Sequence, residues 1–104
     1  MDVARFPQSA LDTKVRAVCE YLQREFPFCT VDDAYDPGQG VHVFRIEDDY
    51  GTVLHVAAVA LEWLRDQTEG DIATFLDRHR MFDALRRAGP LAVSVTQYGL
   101  AIVK

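Results

Sequence analysis

The sequence predicts one α+β domain spanning residues 1–104, in the order α-β-β-β-α-α-β-β. Its five-stranded sheet is mainly antiparallel, with the helices on one face. Three observations carry this expectation. A chain of 104 residues with 49% hydrophobic content and a net charge of −5 can bury one core but not two, and is too apolar to stay disordered. Apolar residues recur at steps of three and four in an early and a late segment. Between and after these lie short β-branched and aromatic runs, punctuated by glycine-containing turns.

Ser9-Ala10-Leu11-Asp12 has the form of a capping box, so the first helix is expected to open there. Leu11, Val15, Val18, Cys19, Leu22 and Phe26 form its apolar stripe, and Pro27 ends it by pushing the preceding residue out of the α region. Phe28 to Tyr35 reads as a strand, followed by the turn formers Asp36-Pro37-Gly38-Gln39-Gly40. Val41 to Glu47 and Thr52 to Ala57 make a hairpin around Asp48-Asp49-Tyr50-Gly51.

The register of that hairpin sets which side chains share a face. A three-residue loop with Gly51 in the left-handed conformation pairs Asp48 with Thr52, and groups Phe44 and Ile46 with Leu54 and Val56. A two-residue loop groups His42, Phe44 and Ile46 with Val53 and His55 instead. The first register is expected, because it separates apolar from charged residues better. It sends His42 and His55 to opposite faces.

From Ala58 the run Ala-Val-Ala-Leu-Glu-Trp-Leu-Arg-Asp favours a helix of about two turns. Thr68-Glu69-Gly70-Asp71 is a second capping box, opening a helix with Ile72, Phe75, Leu76 and His79 on one side. The stripe then slips out of phase. A fresh start near Arg80 aligns Met81, Leu85 and Ala88, so two helices or one kinked helix are expected, stopped by Gly89-Pro90. Leu91 to Thr96 alternates strictly, and Gln97-Tyr98-Gly99 reads as a three-residue loop into a last strand, Leu100 to Val103.

Composition excludes several classes of function. The longest apolar stretch, Val53 to Leu61, is half of what a membrane span needs, and the N-terminus has no secretory apolar core, so a cytoplasmic protein is expected. Residues 1–49 hold ten acids and five bases, whereas residues 50–104 hold six of each, which argues against a phosphate-backbone binder. Nine arginines against two lysines, with no asparagine, fit a GC-rich bacterial genome.

Catalytic signatures are sparse. Ser9 and Ser94 lie outside any nucleophile-elbow sequence, and Gly38-Gln39-Gly40 lacks the rest of a dinucleotide fingerprint. Cys19 and Cys29 have neither zinc nor disulfide spacing and read as reduced, buried small hydrophobes. His42, His55 and His79 could together suggest a metal, yet their spacing is not that of a site, so no metal and no cofactor is expected. The acidic clusters Asp32-Asp33-Asp36 and Glu47-Asp48-Asp49 flank opposite ends of the second strand, about 30 Å apart or slightly less, and read as solvated turns.

Two features point to a protein partner. Val59 to Leu64 is apolar almost all round, which marks Trp63 and Leu64 as interface residues. The last strand is apolar on both faces, so as an edge it would invite pairing through Leu100 and Ile102. Arg78, Arg80, Arg86 and Arg87 form the only local basic surface, with Asp77–Arg80, Asp83–Arg86 and Asp83–Arg87 at helical pair spacing.

In layout alone, with no matched motif, the order of elements is similar to bacterial secretion-chaperone folds, which implies a dimeric binding module. It departs from them after Lys104, where a last helix would follow. The function expected is therefore a non-enzymatic protein–protein interaction module, chaperone-like or an adaptor, that forms a homodimer and has no membrane association. A nucleic-acid adaptor using the four arginines is the alternative, and a small-molecule or metal-binding enzyme the third.

Overall fold

A computed structural model describes residues 5–103, with side chains from residue 11 onward, and has the expected order of elements. Helix α1 (Arg5–Glu25) begins four residues before Ser9. Pro7 is compatible with this early start, because the N–H groups of a helix's first turn have no intrahelical acceptor to lose. Backbone helix at Ser9 rules out its role as an N-cap, and its side chain lies outside the described residues. Val18, Tyr21 and Leu22 are buried and Phe26 half-buried, as the three-and-four spacing requires.

The sheet runs β1 (Thr30–Asp36), β2 (Val41–Glu47), β3 (Val53–Ala60), β4 (Ala92–Thr96) and β5 (Gly99–Ile102), in that spatial order. Neighbours are antiparallel except β3 and β4, which are parallel. A parallel neighbour needs a crossover, and here the three remaining helices supply it. Strand β3 runs to Ala60, where helix was expected from Ala58. The strand wins because Ala58, Val59 and Ala60 each find a partner on β2 and Val59 enters the core.

The β2–β3 hairpin corrects the expected faces. Its turn is the expected one: Asp48 N donates to Thr52 O at 3.0 Å, and Gly51 has φ +81. One step later the pairing slips. Glu47 faces Val53 but Ile46 faces His55, which leaves Leu54 as an unpaired bulge residue. Each residue beyond the bulge changes side. Phe44 and Ile46 therefore share the core face with His55, Ala57 and Val59, and His42 and His55 lie on the same face.

Helices α2 (Leu61–Asp66), α3 (Glu69–Arg78) and α4 (Met81–Ala88) cover the core face together with α1. The α3 capping box forms, with Thr68 Oγ1 accepting from Asp71 N at 3.2 Å. The expected break falls at Arg80, whose φ of +59 and ψ of +51 are left-handed, and Gly89 closes α4 at φ +61. Trp63 and Leu64 are 2% and 0% exposed. Their segment is apolar all round because strands β3 and β4, helix α1 and Phe75 enclose it, and this leaves neither residue any surface for a partner. Among the described residues the Trp63 indole N–H has no acceptor.

Candidate functional site

The strand order places β5 at one edge of the sheet. Its hairpin with β4 is tighter than expected: Gly99 pairs with Thr96 across the two-residue loop Gln97-Tyr98, and its φ of +113 suits glycine. Val103 N donates to Ala92 O at 2.8 Å. In an antiparallel ladder bonded and non-bonded pairs alternate, so residues 99, 101 and 103 bond inward, while the N–H and C=O groups of Leu100 and Ile102 point away from β4. This outward row can bond another strand.

Beside that row lies a groove of about 340 Å³ between β5 and the flank of α4. Val93, Leu100 and Ile102 line it from the sheet, and Ala84 from the helix. His79, at the turn between α3 and α4, stands beside Gly99; its ring lies 4.2 Å from that of Phe75. Arg87, near the C-terminus of α4, also lines the groove. Because α4 leads through Gly89 and Pro90 into β4, its C-terminal end lies at the Ile102 end of β5. No acidic side chain lines the groove, and Arg87 forms no ion pair among the described residues.

Of the residues singled out in the sequence, the structure thus brings Leu100, Ile102, Arg87 and His79 together. It leaves Trp63 and Leu64 in the core and separates the other arginines. Arg86 lies on the Phe82 side of α4, its guanidinium 5.6 Å from that ring. Arg78 and Arg80 are exposed. None of the expected Asp–Arg pairs forms: the break at Arg80 takes it off the helix of Asp77, while Arg86 turns to Phe82 and Arg87 to the groove.

Among the described residues no helix covers the opposite face of the sheet. One row across it reads Ala34, Val43, Ala58, Ser94, Ala101, and the next reads Asp32, Arg45, Val56, Ala92, Val103. The charged side chains gather towards β1, where Arg45 Nη2 meets Asp32 Oδ2 at 3.5 Å. Beyond them the surface is valine, alanine and serine.

Asp33 makes a contact that the sequence does not reveal. On the helix-facing side, His42 Nε2–H donates to its Oδ1 at 2.7 Å, and the Cys19 thiol donates to its Oδ2 at 3.5 Å. Cys19 is thus one carboxylate away from a histidine, although nothing in its spacing suggests one. Burial, then the charge of Asp33, push the thiol up to about 12, so it stays protonated at neutral pH and is a poor nucleophile. His55 sits elsewhere, its Nδ1–H donating to Gly89 O at 3.0 Å, and His79 lies on a third element. Among the described residues no three ligands converge as a metal site would need.

The acidic clusters are nearer than the linear count implies. Strand β1 doubles back along β2, so Asp32 faces Arg45, two residues from Glu47. They still do not form one site, since Asp32 and Asp33 point to opposite faces and Asp48 Oδ1 is occupied by the N–H groups of Tyr50 and Thr52.

Scans of protein-family models, curated proteins and solved structures find no match for this chain.

Proposed function

We propose that the chain is a protein-interaction module, working in the bacterial cytoplasm, that takes an extended segment of another protein as a sixth strand along β5. The observation that carries it is the coincidence of an outward-facing backbone row at Leu100 and Ile102 with an apolar groove directly beside it. Strand addition uses both parts: main-chain hydrogen bonds give affinity, and pockets for alternate side chains give selectivity. At about 340 Å³ the groove is within the range of ligand-binding pockets. The free thiols of Cys19 and Cys29 are consistent with a reducing compartment.

A second copy of β5 is a poorer occupant because it brings no carboxylate to Arg87. Antiparallel pairing of two such edges would set Arg87 of each copy towards His79 of the other, with no carboxylate lining either groove. The test is selection of peptides from a random displayed library. Enriched peptides should alternate apolar residues. N-methylation at every second amide should abolish binding in one phase and spare it in the other, because only alternate amides face β5. Equal tolerance of both phases, or no enrichment, would refute strand addition.

The sheet face opposite the helices supports a second reading, a homodimer formed face to face. Five strands about 4.8 Å apart and rows of about five residues give a face of roughly 24 by 17 Å. Two such faces bury on the order of 1,000 Å², the lower limit for a specific contact, so the dimer should be weak and concentration-dependent. Sedimentation velocity should show this, and Val43→Lys should abolish it. Sedimentation as a monomer at every concentration would rule this dimer out.

A further inference from the structure

The lining of the β5 groove has a chemical direction. From Gly99 to Ile102 the strand covers about 10 Å, enough for four residues of an added strand. Over that length the floor is Val93, Leu100 and Ile102, which offers nothing to a polar side chain. Its polar features are His79 beside Gly99 and Arg87 towards Ile102. His79 is already engaged against Phe75. Arg87 is the contrast. It belongs to a chain of net charge −5, yet has no acidic partner among the described residues, while an aspartate stands one turn before it on the same helix. A guanidinium that borders an apolar groove and lacks a carboxylate favours an occupant that brings one.

We infer that the segment bound along β5 is acidic: it carries one carboxylate, on a side chain or at its C-terminus, at the Ile102 end, where Arg87 reads it, and apolar side chains at alternate positions before it. This rests on the strand-addition reading and narrows its partner class to acidic extended peptides. The carboxylate supplies selectivity more than affinity, since a partly solvated charge pair gains only a few-fold in binding. Rejection of a cation at the same place adds to the discrimination.

The experiment uses three synthetic peptides of alternating valine and threonine, each ending in an amide and differing only in a last residue of glutamate, glutamine or lysine. Binding is read as shifts of the Leu100 and Ile102 amides in the NMR spectrum of the labelled full chain. The glutamate peptide should bind about threefold tighter than the glutamine peptide and about tenfold tighter than the lysine peptide at low salt, and the gap should close near 1 M salt. Arg87→Gln should remove the preference, and Arg87→Glu should invert it. Arg87 is exposed, so these variants should keep the fold. Equal binding of all three peptides, with shifts still centred on Leu100 and Ile102, would overturn the acidic preference and leave strand addition standing. Shifts centred elsewhere, or none with any peptide, would overturn both.

Discussion

Cys19 offers a direct measure of how far the fold suppresses thiol chemistry. The perturbation is environmental: burial against the sheet and the Asp33 carboxylate raise the thiol from 9.0 to about 12. At pH 8 a thiol at 9.0 is about one-tenth ionised, and a thiol at 12 about one ten-thousandth, so the thiolate is roughly a thousandfold scarcer. Nucleophilicity per thiolate increases with basicity, by about twentyfold over three units, which leaves alkylation about 40-fold slower than for an ordinary cysteine before access is counted. The assay is iodoacetamide labelling in a Cys29→Ser background against a short cysteine peptide. The rate should still climb tenfold per pH unit beyond pH 9, where the peptide levels off. Asp33→Asn should speed it by removing the charge and the acceptor. A rate within threefold of the peptide at pH 8, or a plateau near pH 9, would refute the inference that the fold holds this proton, and would revive Cys19 as a nucleophile.

Other outcomes follow from the same geometry. The Cys19 thiol and the Tyr21 hydroxyl are both raised to about 12, chiefly by burial, so between about pH 9 and 12 the unfolded chain gives up these protons first. Stability should therefore fall as pH rises through that window, and denaturant titrations of Cys19→Ala and Tyr21→Phe should show a shallower decline than the parent. Arg80→Gly should relieve a left-handed backbone worth about 1–2 kcal/mol, against about 0.4–1 kcal/mol of added chain entropy, for a net gain of up to about 1.5 kcal/mol in thermal unfolding. Thr68→Ala should cost about 1 kcal/mol by removing the α3 cap, measured by denaturant midpoint. Trp63→Ala should cost about 3–5 kcal/mol, whereas Arg78→Ala should stay within about 0.5 kcal/mol by the same measurement.

Local patterns carry much of this fold. The phase slip between His79 and Met81 marks a real helix break, because a helix that buries Leu76 cannot also bury Met81 and Leu85 without restarting. Thr68 and Gly89 mark helix ends through chemistry that acts within four residues. The candidate site was half legible: Leu100 and Ile102 stood out as an apolar strand that would be exposed if it lay at an edge. Arg87 stood out only as one of four arginines, and His79 only as a residue on an apolar stripe.

The sequence by itself determined the order of elements, the limits of α3 and α4 and the turn at Gly51, all of which depend on contacts between near neighbours. Tertiary structure decided the rest. A period of two cannot show where one unpaired residue enters a strand, so the bulge at Leu54, which turns the half-buried His55 to the helix-covered face, emerges only when β2 and β3 are paired. Burial of Trp63, the carboxylate link from Cys19 through Asp33 to His42, and the position of β5 at an edge likewise depend on residues distant in the chain. The groove is the sum of those choices: a strand left without a neighbour, and a helix returning close enough to set one arginine beside it.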